Sequence, residues 1–156
     1  MRSFFDYNWQ VRDEWFAWCK QLSEEDLLKE RVGGPKSILY TLFHIIDVEY
    51  SWVRAVMGKE DIAESFEEYS TLEKLKDLSD TYRKEIQVFL NVCPDEWTKN
   101  DLVQASWLNA SFTKFEIGHH IIAHEIHHIG QLSVWSRELG LKPVSANGIG
   151  RGLQNI

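Results

Sequence analysis

The run Thr113-Lys-Phe-Glu116-Ile-Gly-His119-His120-Ile-Ile-Ala-His124-Glu125-Ile-His127-His128-Ile-Gly-Gln131, continued by Leu-Ser-Val134-Trp135-Ser-Arg-Glu-Leu139-Gly140, decides how the chain is read. Thr113 and Glu116 stand three apart, as in a capping box, ahead of more than twenty residues without proline. Gly140 and Pro143 end the segment. At 1.5 Å per residue such a helix is roughly 39 Å long, the length of a bundle helix.

Working outward, apolar residues recur at spacings of three and four, the period of amphipathic helices. A first helix is predicted from about Phe4 to Gln21, with Phe4, Val11, Trp15, Trp18 and Leu22 on one stripe and Phe5, Trp9, Phe16 and Cys19 widening it. Ser23 with Asp26 predicts a capped extra turn, and Ser37 a cap for a second long helix running to about Met57 before Gly58. Ser70 and Glu73 read as a capping box for a third, carrying Leu72, Leu75, Leu78, Tyr82, Ile86 and Phe89 inward. A loop or short strand-like stretch is expected around residues 101–108. The expected fold is all-α, one four-helix bundle over residues 1–156, with a polar tail from 143 to 156.

The chain has 156 residues, 17 basic against 24 acidic, for a formal charge of −7. That balance disfavours nucleic acid as a partner, and an anionic membrane surface likewise. Two cysteines, Cys19 and Cys93, are too few for a disulfide scaffold, and neither lies in a CxxC pair. Asp6 interrupts the start before an apolar signal core can form, and no apolar run reaches the roughly 18 residues that span a bilayer. A cytoplasmic protein is expected.

Six histidines are present, and five fall between His119 and His128. On a helix His120, His124 and His128 share one stripe, and the imidazoles of an i, i+4 pair can converge on a metal ion. Ile117, Ile121, Gln131 and Val134 flank or extend that stripe and are expected to face the interior, while His44 lies among Thr41, Leu42, Ile45 and Val48 on the second helix. A lone histidine on an apolar face is more often a core side chain satisfied by a carbonyl or water. A cluster this dense also fits a histidine-rich surface. Three imidazoles from two helices, with open coordination positions, would suit Zn²⁺ or another late first-row divalent ion at a catalytic site.

His124-Glu125-Ile126-His127-His128 also matches the HExxH pattern of zinc proteases. The extended form needs Gly and a third His where this chain has Gln131 and Val134, Glu138 is only ten residues past His128, and no strand hairpin is evident. Position 125 points about 100° away from 124, so Glu125 is expected near an interface and not at the site. Trp52 and Trp135 are candidates to line a pocket beside the histidines.

His120-Ile-Ile-Ala-His124-Glu-Ile-His-His128-Ile-Gly-Gln131 resembles the final-helix signature of the DinB/YfiT-like superfamily. Leu42-Phe-His44-Ile-Ile-Asp47-Val-Glu49-Tyr-Ser-Trp52 resembles its second-helix motif, and Tyr7-Asn8-Trp9 its first helix. The resemblance implies a four-helix bundle, commonly a homodimer, with a divalent metal, Zn or Ni, on three histidines. By position these are His44, His124 and His128. His120, His127 and Gln131 are left as supporting candidates, and Ile129 departs from the Arg common among relatives. The family includes thiol-dependent enzymes using mycothiol or bacillithiol, and others described as metal-dependent hydrolases. Its name records induction by DNA damage, not DNA binding.

The function expected is therefore transfer of a low-molecular-weight thiol to a small electrophilic substrate, the metal holding the sulfur as a thiolate. Hydrolysis by metal-activated water and metal or ligand binding without turnover are the alternatives.

Overall fold

The computed structural model describes residues 1–153. Its α-helices are α1 (Arg2–Cys19), α2 (Glu24–Leu28), α3 (Ile38–Val56), α4 (Leu72–Val92) and α5 (Lys114–Glu138), with short 3-10 turns at Phe66–Tyr69 and Glu96–Thr98. One antiparallel hairpin, β1 (Leu102–Gln104) with β2 (Ser111–Thr113), pairs Val103 with Phe112 ahead of α5. The fold is all-α apart from this hairpin, whose three-residue strands carry almost no period and so read in the sequence only as a loop or strand-like stretch.

Side-chain caps start every α-helix but α1. The Ser23, Ser37 and Thr113 side chains accept from the backbone N–H groups of Asp26, Tyr40 and Glu116, and Glu116 closes the box by accepting from the Thr113 N–H at 2.9 Å. At α4 the expected cap is corrected by one residue. Thr71, not Ser70, accepts from Lys74 N–H, while the Ser70 hydroxyl turns back to the Glu67 carbonyl. Gly140 stops α5 at φ +72°, a left-handed conformation that glycine adopts without a Cβ penalty.

α1 packs against α4 and α5, and α3 against the same two, so the four long helices close a ring around one core. Trp15, Phe5, Leu42, Ile45, Leu75, Ile86 and Trp135 are among its fully buried side chains. Two inward assignments are corrected: Phe4 and Val134 are each 55% exposed, because each lies at the edge of its apolar stripe, where the helix rotates past its neighbours.

A charged group sits at the centre. Arg12 of α1 is buried and touches all three other long helices. Its Nε and Nη2 donate to the two Glu125 oxygens of α5 at 2.8 and 2.6 Å, its Nη1 donates to Glu49 of α3 at 3.0 Å, and it reaches the Ser79 hydroxyl of α4 at 3.5 Å. Trp9 Nε1–H adds bonds to both Glu49 oxygens at 3.2 and 3.1 Å. Beyond α5 the chain returns along α1, held by Trp18 to the Lys142 carbonyl, Tyr7 to the Ala146 carbonyl and an Arg151–Glu14 ion pair.

Candidate metal centre

His44 lies in the middle of α3, and His124 and His128 one turn apart on α5, the helix packed against it. Their rings meet: His44 Nε2 is 3.0 Å from His124 Nε2, which is 3.1 Å from His128 Nε2. Each offers one nitrogen, and the three lie within 4.8 Å of one another, the one such group among the described residues. A single N–H on His124 cannot serve both close contacts well, whereas a cation can be shared by three lone pairs.

Burial and mutual repulsion keep these rings neutral. The pKa of His44 is pushed down to about 4 by burial and His128, and that of His124 to about 3 by burial and its histidine neighbours. Burial also lowers His128. Neutral imidazoles are the form that binds a metal.

Gln131 sets the orientation of His128. Its Oε1 lies 2.7 Å from His128 Nδ1, and an amide oxygen only accepts, so the proton sits on Nδ1 and Nε2 presents a lone pair to the cluster. The amide nitrogen of Gln131 lies 3.1 Å from His127 Nε2, which puts His127 on the outer side of this chain of contacts. The loop before α3 presses on the same residue: a Cβ at Gly34 would lie 2.9 Å from Gln131 Oε1 and 2.6 Å from the Trp135 ring. Trp135 is buried there and donates to the Val32 carbonyl at 2.9 Å, so it braces the loop and does not join Trp52.

His120 stays outside the three-nitrogen group. Its ring centroid is 5.5 Å from that of His124 and 5.7 Å from that of Trp52. His119 turns back to the Phe115 carbonyl. Glu125, adjacent to His124, points into the bundle centre, and the interface it occupies is the one with Arg12 and Glu49. Burial and Glu49 raise its pKa against the pull of Arg12. It is not free to act as a base, which removes the HExxH reading.

The sequence reading assigns no role to Arg12, Phe112 or Trp107, and Glu49 enters it only as a member of the second-helix motif. A charged residue inside an apolar stripe, as Arg12 is between Val11 and Trp15, was the available signal for Arg12 and Glu49. Nothing local marks Phe112, because its place depends on the hairpin.

The DinB family profile matches residues 1–151. The chain is similar to the Bacillus subtilis (strain 168) protein YizA, at 62% identity over 157 residues, covering 100% of this chain and 98% of that one. A crystal structure of a DinB-like protein from Bacillus cereus ATCC 10987 superposes with a TM-score of 0.58 at 21% identity, covering 94% of this chain and 95% of the other. That likeness concerns the fold.

Proposed function

This chain belongs to the DinB family, and on that premise we propose that it is a single-domain enzyme that binds one divalent metal ion through His44, His124 and His128 and transfers a low-molecular-weight thiol, of the bacillithiol or mycothiol type, to a small electrophile. The observation that carries the metal reading is the convergence of three neutral Nε2 atoms within 4.8 Å. Nitrogen donors of this kind favour Zn²⁺ or Ni²⁺ over Mg²⁺ or Ca²⁺. Such a cation supplies Lewis acidity, which lowers the pKa of a thiol or water on its open side.

The chain's own groups leave the nucleophile to be supplied from outside the protein. Cys19 is buried in α1 with its thiol pushed up to about 12 by burial, so it does not serve as nucleophile, and Cys93, at the end of α4, is not part of the three-histidine group, so in this reading the sulfur comes from a cosubstrate. Glu125 is committed to Arg12, so it does not activate water. No helix among the described residues is long and apolar enough to cross a membrane. We place the protein in the cytoplasm, acting on small molecules as a homodimer.

Plasma mass spectrometry of untagged protein tests the metal reading. Near one divalent ion per chain is expected, lost in His44→Ala and His124→Ala. Metal-free protein that takes up neither Zn²⁺ nor Ni²⁺ would overturn it. Thiol-dependent turnover across a panel of electrophiles is the matching test of the reaction: thiol-independent ester cleavage would replace transfer with hydrolysis, and no turnover would leave a binding protein.

Gln131→Leu removes the acceptor that holds the His128 tautomer and is expected to weaken metal affinity about 10–100-fold with the fold intact. Competition with a chromophoric chelator measures this. An unchanged affinity would deny Gln131 any positioning role.

A further inference from the structure

Beside the three-histidine cluster lies a cleft of about 220 Å³ lined by Trp52 of α3, Phe112 of β2, and Glu116, Ile117 and His120 of α5. It adjoins the cluster through His120, whose ring is 5.5 Å from His124. Three of its five lining side chains, Trp52, Phe112 and His120, are rings held edge-on. Trp52 makes near-perpendicular contacts with Phe112 at 5.7 Å, His120 at 5.7 Å and Trp107 at 5.0 Å, so its face is fixed from three sides. The hairpin supplies two of these rings, Trp107 from its connection and Phe112 from its second strand.

The dimensions restrict what fits. An apolar cavity of about 150 Å³ is enough for benzene, whereas sites for drug-sized ligands start near about 300 Å³. A cleft between those sizes takes one six-membered ring with a small substituent.

We propose that this cleft seats a planar apolar group, an aromatic ring or an unsaturated unit of the same size, belonging to the small molecule whose reactive end lies at His44, His124 and His128. The inference rests on the metal-site reading above and adds the substrate class. The ring stacks against Trp52 and Phe112, and His120 separates it from the histidine cluster. The hairpin is then the specificity element of the site, and α3 and α5 carry the chemistry.

Calorimetric titration of zinc-loaded protein with acetohydroxamate and benzohydroxamate tests it, because the two share a metal-binding head and differ only in the ring. Benzohydroxamate is expected to bind at least about tenfold more tightly. The ratio should fall toward one in Phe112→Ala, which keeps its zinc. Equal affinities for the two probes in the zinc-loaded wild type would overturn the proposal. A protein that takes up no zinc defeats the functional reading instead, and the cleft is then judged on metal-free protein by heteronuclear NMR. Benzyl alcohol, and not ethanol, should shift the indole N–H signals of Trp52 and Trp107. No such shift would overturn the cleft as a ring site.

Discussion

Arg12→Met destabilises the protein by about 3–5 kcal/mol in urea titration, a large part of the whole stability of a domain this size. The loss comes from what remains. Glu49 and Glu125 are 3% and 1% exposed, and without the guanidinium two carboxylates face each other in the core with no cation between them. Burial opposes the charge on Arg12, but Glu125 and Glu49 outweigh it and hold its pKa above the ordinary value. Because burial already raises the Glu125 pKa, the penalty in Arg12→Met should shrink as pH falls and that carboxyl takes a proton. Replacing all three groups with apolar residues of similar volume should recover most of the loss, since a buried ion network is costly to break and not to exchange. A change below about 1 kcal/mol in Arg12→Met, in the range of an exposed ion pair, would show that the triad is not buried as described.

That triad was also the largest thing hidden from the sequence. Ser23, Ser37 and the Thr113–Glu116 box were legible because a cap involves residues two or three apart. His124 and His128 were legible for the same reason, and His44 joined them through the apolar face it occupies on the second helix and through the resemblance of its motif, since no spacing links residues 80 apart. Arg12 finds its partners 37 and 113 residues away, and no periodicity encodes such a meeting. Thr71 competed with Ser70 one position earlier, and nothing in two adjacent hydroxyl residues says which one the chain will turn on. Phe4 and Val134 show the same limit, since a stripe predicts a face but not where its edge meets water.

Saturating zinc raises the unfolding temperature by on the order of 10 °C, corresponding to about 4 kcal/mol at a thousandfold excess over Kd, and His124→Asn abolishes the effect. The coupling is strong because the ligands lie 80 residues apart in sequence, so an unfolded chain cannot gather them. The metal-free protein carries a pH signature of the same cluster. His44 and His124 titrate near 4 and 3 when folded and near 6.5 when unfolded, so the unfolded chain binds more protons as pH falls. Their contribution is complete above about pH 6.5 and is lost progressively as pH falls toward about 4 for His44 and about 3 for His124. Asp47, pushed up to about 6 by burial with Asp61 and Glu64, works in the opposite sense, so the useful quantity is the difference between wild type and His124→Asn. Metal-free wild type should lose stability between pH 7 and pH 5 relative to the variant. Parallel curves would mean that the His124 imidazole is not shielded as the structure places it.

Neighbouring residues His124 and Glu125 serve opposite needs, one facing two imidazoles and the other a guanidinium. α5 consequently has a single permitted rotation about its own axis. Turning it by one residue, about 100°, in one sense would put Glu125 among the imidazoles and Ile126 against Arg12, and in the other sense would put His124 against Arg12 and Ala123 among the imidazoles. Hydrophobic packing alone tolerates small slips of a helix, but this adjacent pair acts as a detent. Drift of α5 that would spoil the alignment of the histidines is penalised on the far side of the helix, where no ligand needs to be present.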